Sequence, residues 1–225
     1  MAERLELVRA RIRRAEEHYG REPGSVILLA VSKKQEAEKI RAAVAAGQTA
    51  FGESYVQEAI EKMDVIETLQ TQWHFIGRIQ GNKTRKIAER FDWIHGLCDP
   101  KHARRLSEQR PATLPPLAAC IQVSLDAEPG KAGLPPAKIA DFIAACSRLP
   151  RLQLVGLMTL PAPTRTEEEQ RRPFRDLRRL RDRLATPSLP LQVLSMGMSA
   201  DLEAAIAEGA TMVRVGTAIF GPRSR

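Results

Sequence analysis

Short apolar runs alternate along this chain with longer segments in which apolar residues recur three and four apart, after one leading helical stretch over residues 3–18. The runs are SVILLAVS, TAFGES, TQWHFIG, FDWIHGLCD, LAACIQVSL, LQLVGLMTLP, LQVLSMG and TMVRVGTAIFG, eight candidate strands. Seven amphipathic segments, such as EAEKIRAAVAAG and LPPAKIADFIAACSRLP, lie between them with proline or glycine near their ends. Strand and helix taking turns build a parallel sheet covered by helices. An open sheet of this kind usually carries a GxGxxG fingerprint after its first strand, and none follows ILLAVSK. The eighth run has no helical segment behind it, and the leading helix fills that gap in an outer ring. The expectation is an α/β fold: one (β/α)8 TIM-type barrel with an additional N-terminal helix, spanning residues 1–225 as a single domain.

In such barrels the site lies at the C-terminal ends of the strands, and phosphate is commonly held by the loops after strands seven and eight. Here those are SMG, residues 195–197, and GTAIFG, residues 216–221. Gly197 and Gly216 let backbone N–H groups approach an anion closely, and Ser195 and Thr217 add hydroxyl donors. A helix starting near Ser199, as N-cap, aims its positive end at the same region. Glycines that only turn the chain are the competing reading for either loop alone; two such loops at the fold's phosphate position favour phosphate. The stretch GRIQGNKT imitates a phosphate loop, but its spacing fails G-x-x-x-x-G-K-[ST], leaving a turn with Lys83, Arg85 and Lys86 on a solvated helix start.

Lys33 and Lys34 stand in tandem after the first strand, where alternation sends them to opposite sides. One facing the barrel mouth and partly desolvated suits Schiff-base chemistry with an aldehyde; two solvated lysines are the plain alternative. Arg214 lies between valines in MVRVG, and a buried arginine needs an acceptor.

Composition narrows the classes. With 43% hydrophobic and 28% charged residues, the chain is an ordinary globular one. A net charge of +8 and the stretch RRPFRDLRRLRDRL raise nucleic-acid binding. Yet Phe174, Leu177, Leu180 and Leu184 recur at helical spacing, making this an amphipathic outer helix, and aromatics at 4% offer no stacking platform. Loose, salt-sensitive attraction to polyanions is the most this charge implies; no specific nucleic-acid partner is expected. Cys98, Cys120 and Cys146 are widely spaced without a CxxC pair, so they read as reduced, buried thiols. His95 and Cys98 fall on opposite faces of a strand, His18 and His102 on solvated helices, and no metal is expected. The charged N-terminus and the lack of any long apolar run point to a cytoplasmic protein without membrane partner.

Over LLAVSK, FGESYVQEA, WHFIGRIQGNK, FDWIHGLCD, GLMTLPAP and LSMGMSADLEAAIAEGATMVRVGTAIFG, nearly the whole chain resembles the pyridoxal 5'-phosphate (PLP) homeostasis protein family, YggS-like relatives of the N-terminal barrel of bacterial alanine racemase. The resemblance implies PLP as cofactor, Lys33 as its Schiff-base lysine, Ser195, Gly197, Gly216 and Thr217 as the phosphate cradle, and Arg214 as partner of the pyridine nitrogen. It places Met158 and His74 around the ring and Ser54 in the contact where the family usually carries asparagine. An arginine at the pyridine disfavours ring protonation and weakens the cofactor as an electron sink. In racemases of this type a tyrosine from an additional β domain supplies a second base. Here no such domain is expected after strand eight, and the tyrosines are Tyr19 and Tyr55. A PLP-binding protein that buffers the cofactor or delivers it to apo-enzymes, acting as a monomer, is therefore expected ahead of a weakly active racemase-like enzyme using Lys33 with Tyr55 or His74.

Overall fold

The computed structural model describes residues 1–66, 70–125, 132–164 and 166–222. Helix α1 (Ala2–His18) leads into β1 (Ile27–Val31), α2 (Ala37–Ala45), β2 (Ala50–Glu53) and α3 (Val56–Val65). Then come β3 (Gln72–Phe75), α4 (Thr84–Arg90), β4 (Trp93–Leu97), α5 (Pro100–Gln109) and β5 (Leu117–Gln122). The last part holds α6 (Ile139–Cys146), β6 (Leu152–Met158), α7 (Glu167–Leu184), β7 (Val193–Ser195), α8 (Leu202–Ala207), β8 (Met212–Val215) and α9 (Thr217–Phe220). Each strand pairs in parallel with its neighbour, and β1 pairs with β8, closing an eight-stranded (β/α)8 barrel of the TIM type.

Alternation along the strands divides the apolar residues between two environments. On β1, Leu28 and Ala30 join the large core beneath the helices, whereas Leu29 belongs to a small separate cluster with Ala50, Met212 and the half-buried Ile76. Successive strand side chains face opposite ways, so one set fills the layer under the helices and the other the barrel interior. The helices contribute one face each. Phe174, Leu177 and Leu180 of α7 are buried at a spacing of three. The arginines beside them do not stand free in water: Arg171, Arg175 and Arg178 all reach the buried carboxylate of Glu208, at 2.8, 3.3 and 3.1 Å.

The leading helix fills the expected place in the ring, packing against α8, α9 and α2. Its buried Glu16 fixes the approach to β1 by accepting from the Gly24 and Val26 N–H groups at 3.0 and 2.8 Å. The eighth strand is followed by one helical turn, α9, not by more strand, because GTAIFG turns at Gly216. Cys120 and Cys146 are buried as free thiols and Cys98 is half-buried. Burial pushes the first two up to about 12 and about 11, far from reactive thiolates. No helix among the described residues is long and apolar enough to cross a membrane.

β6 and β7 approach closely at Gly156, where a Cβ would lie 1.9 Å from the Val193 carbonyl oxygen. Gly156→Ala therefore has to push the strands apart. A loss of about 3 kcal/mol, or about 6 to 12 °C in thermal midpoint, is expected. A midpoint unchanged in a thermal melt would show that this approach does not constrain the barrel.

Candidate functional site

β1 ends at Val31, and the chain then makes a turn closed by the Gln35 N–H donating to the Ser32 carbonyl at 3.1 Å. Lys33 and Lys34 occupy its two middle positions, with Lys34 at φ 57° in the left-handed region. The divergence of the two lysines thus comes from a turn, not from strand alternation. Lys34 is exposed and its N–H donates to Glu58 at 2.5 Å, while Lys33 is half-buried on the wall of two adjoining cavities. Beneath the turn, Lys62 donates to the Ser32 carbonyl and to Glu53, both at 2.8 Å, and the Ser32 hydroxyl donates to Glu53 at 2.7 Å. Burial raises the Glu53 carboxyl, and Lys62 opposes that rise.

The cavity on one side of Lys33 has a volume of about 280 Å³, close to the lower limit of about 300 Å³ for small-molecule sites. Val31, Ile76, Met158 and Leu160 give it apolar walls. Its polar groups are Lys33, Arg214, Thr217 and Ser199, with Gly216 between strand and hydroxyl. A Cβ on Gly216 would meet the Val31 carbonyl oxygen at 3.1 Å, so the β8 end lies close against β1. The cavity on the other side, about 570 Å³, holds Ser54 together with Tyr55, Arg78 and Lys83. Lys83 is half-buried there, contrary to the solvated position expected from sequence; Arg85 and Lys86 are exposed.

Arg214 is the most constrained of these groups. Only 5% exposed, it donates from Nη1 to Ser195 Oγ at 2.8 Å and from Nη2 to the Thr159 carbonyl at 2.9 Å. Burial lowers its pKa to about 10, so it stays charged at neutral pH. Ser195 Oγ also lies 2.8 Å from His95 Nδ1, and His95 Nε2 lies 3.0 Å from His74 Nδ1. An arginine only donates, so Ser195 accepts from Arg214, while the direction of the Ser195–His95 bond is set by which His95 nitrogen carries the proton. The His95–His74 bond takes its direction from the same tautomer choice, and His74 Nε2 is buried without a hydrogen-bond partner. His74 also stacks on Trp93 with ring centroids 5.2 Å apart.

This chain relocates several groups named from sequence. Lys33, Met158, Arg214, Gly216 and Thr217 meet on one cavity, and Ser54 lines the neighbouring one. Ser195 is turned inward, bonded to Arg214 and His95, and the serine on the cavity wall is Ser199. His74 is fully inside the barrel and lines neither cavity. Gly197 is buried with φ 92°, and a Cβ there would lie 2.5 Å from that of Ala205, so helix packing and backbone conformation require the glycine. The helix expected to start at Ser199 starts at Leu202 behind Asp201, whose carboxylate accepts the Met198 N–H at 2.6 Å. Strand alternation would have marked Ser195, because it shares an inward face with Val193; the loop position of Ser199 has no such periodic signal. Among the described residues no group of three or more His, Cys, Asp or Glu is placed to hold a metal ion.

A closed barrel with a lysine just past its first strand and a buried arginine on its last defines a recognisable class. Residues 4–224 match the family model described as alanine racemase, N-terminal domain, and the chain belongs to that family. A relative within reach of direct alignment is the pyridoxal phosphate homeostasis protein of Pseudomonas aeruginosa, 51% identical over 223 residues that cover 99% of this chain and 96% of that protein. The structure of PipY from Synechococcus elongatus without PLP is similar at a TM-score of 0.88 and 41% identity, covering 98% of this chain and 100% of PipY. The PLP-bound structure of PipY is similar at 0.84 and 39%, covering 98% and 99%.

The buried histidine pair gives the site a defined pH response. Burial, the largest cause for both, lowers His74 to about 3 and holds His95 well below its ordinary value, with His74 and Arg214 adding repulsion at His95. Both rings are neutral when folded but take up protons below about 6.5 when unfolded, so their stabilising contribution is full above that pH and shrinks below it. Urea unfolding at pH 7 and pH 5 is expected to differ by about 2 kcal/mol for each histidine, about 4 in total. A difference under about 2 kcal/mol would mean that at least one ring is protonated inside the folded barrel.

Proposed function

We propose that this chain binds PLP as a Schiff base on Lys33 and serves in PLP homeostasis, holding the cofactor for release or for delivery to PLP-dependent apo-enzymes. The observation that carries the reading is the convergence of Lys33, Arg214, Gly216 and Thr217 on one small cavity with apolar side walls. The PLP-bound structure of its relative PipY supports it independently. The residues fit the group in kind: a lysine for an aldehyde, an obligate donor for a ring nitrogen, and close-approaching backbone with two hydroxyls for a phosphate. Bound PLP would supply that aldehyde and an electron-withdrawing ring. Thr217 and Ser199 hold the phosphate from two loops, and Met158, Val31 and Ile76 exclude water from the ring faces. Arg214 cannot accept a proton, so it keeps its ligand nitrogen unprotonated.

An amino-acid racemase of low activity is the competing function. It requires an acid or base opposite Lys33, and the two candidates differ in access. His74 is buried outside the cavity walls, and Tyr55, 51% exposed, stands in the adjoining cavity with its side chain largely in water. Neither group is enclosed with Lys33 and Arg214, which favours the carrier.

Borohydride reduction of the PLP-loaded protein followed by peptide mapping is expected to find the adduct on Lys33. An adduct on Lys34 or Lys83 with Lys33 unmodified overturns the assignment. In dialysis, Thr217→Val is expected to retain PLP about 10- to 100-fold less tightly, the effect of one charge-assisted hydrogen bond of about 1.5 to 3 kcal/mol, and to lose more than Lys33→Ala does. Equal retention by Thr217→Val and the parent protein would put the phosphate elsewhere. With L-alanine in deuterated water, the loaded protein is expected to show no appreciable Cα exchange. Exchange at about 1 per second or faster, within the usual enzymatic range, would instead establish the racemase function.

A further inference from the structure

The larger cavity on the far side of Lys33 is more basic than the cofactor cavity, and nothing in the proposed PLP contacts accounts for that. Lys33, Arg78 and Lys83 line it with no carboxylate on its walls, alongside the neutral donors Gln57, Gln80 and Ser54. Elsewhere several arginines are paired with carboxylates, Arg11 with Glu203, Arg90 with Asp64 and Arg175 with Glu168 and Glu208. Arg78 and Lys83 donate no side-chain hydrogen bond and make no ion pair among the described residues. The acid nearest in sequence to the α3 wall, Glu58, is turned away, bonded to Lys62 and to the Lys34 N–H.

The wall carrying these cations is held in place. A Cβ on Gly77 would lie 2.3 Å from the Ser54 carbonyl oxygen, so the β3 loop is pressed against the end of β2. The following turn, closed by the Lys83 N–H donating to the Gln80 carbonyl at 2.9 Å, sets Gln80 and Lys83 on the same wall. Unmatched cations lining a concave site concentrate small anions there. Guanidinium and ammonium groups with neighbouring amides suit a carboxylate or a phosphate monoester.

We propose that Arg78 and Lys83 form a second anion subsite beside Lys33, which takes the carboxylate or phosphate of a small molecule while PLP occupies the smaller cavity. The proposal rests on the reading of Lys33 as the cofactor lysine.

The test is isothermal titration of the PLP-loaded protein with inorganic phosphate and, separately, with acetate at low ionic strength, in the parent chain and in Arg78→Gln/Lys83→Gln. One anion per chain is expected to bind the parent, at least tenfold more tightly than the double variant, with PLP retention equal in both. Tighter phosphate than acetate would identify a phosphate ester as the ligand class, and the reverse order a carboxylic acid. Equal anion affinity in parent and variant overturns the subsite. So does a tenfold loss of PLP from the variant, which would make these residues part of the cofactor's own phosphate site. If neither protein takes up PLP the reading of Lys33 fails, and the same titrations on the unloaded chains still decide whether Arg78 and Lys83 bind an anion.

Discussion

Everything at the mouth of this barrel depends on the pairing of the first strand with the last. Leu29 lies opposite Arg214 and Ala30 opposite Val215, so the turn that follows β1 and the turn that follows β8 emerge side by side. Lys33 and Thr217 are far apart in the chain, and only this register brings them to one cavity. A one-residue slip between β1 and β8 would reverse the inward and outward sets on one of them, placing a guanidinium among the apolar residues under the helices.

Closure also explains how a charged side chain is tolerated inside a barrel. Burying Arg214 is unfavourable unless its donors are met, and they are met by Ser195 and Thr159 from the two strand ends that precede β8. Ser195 accepts that bond with one lone pair and also meets His95, which in turn meets His74. Polarity in the interior is thus a connected chain that runs from a permanent donor to a ring nitrogen without a partner. The apolar core under the helices is indifferent to direction; the polar interior is not.

Much of this was legible in the sequence because the dominant signals are periodic. Alternation of period two with period 3.6 identifies eight strands, their helices and closure, and places Arg214 inward between two outward valines. The positions the sequence left least defined sit where periodicity stops. Lys33 and Lys34 are two and three residues past the end of β1, and a left-handed residue within a turn carries no signature when a lysine occupies it. Ser195 and Ser199 look alike as strand-end hydroxyls, yet one is the last residue of β7 and faces Arg214 while the other belongs to a loop that reaches the cavity. His95 carries no local signal for its role, since its partners are distant strands. The basic wall of Arg78 and Lys83 was equally hidden: a lysine at a helix start looks solvated until the loop before it folds back onto Ser54.

Lys33 is shared by the walls of two cavities, so the proposed occupants of both would meet at one side chain. A group that shifts the position or charge of Lys33 from one side changes the free energy of whatever touches it on the other. Linkage requires the effect to be mutual: if an occupant of the large cavity loosens an occupant of the small one by some factor, it is itself loosened by the same factor. A protein built this way carries in one side chain the means to let the concentration of one solute set the free level of another, with no moving domain and no second subunit needed to transmit the message.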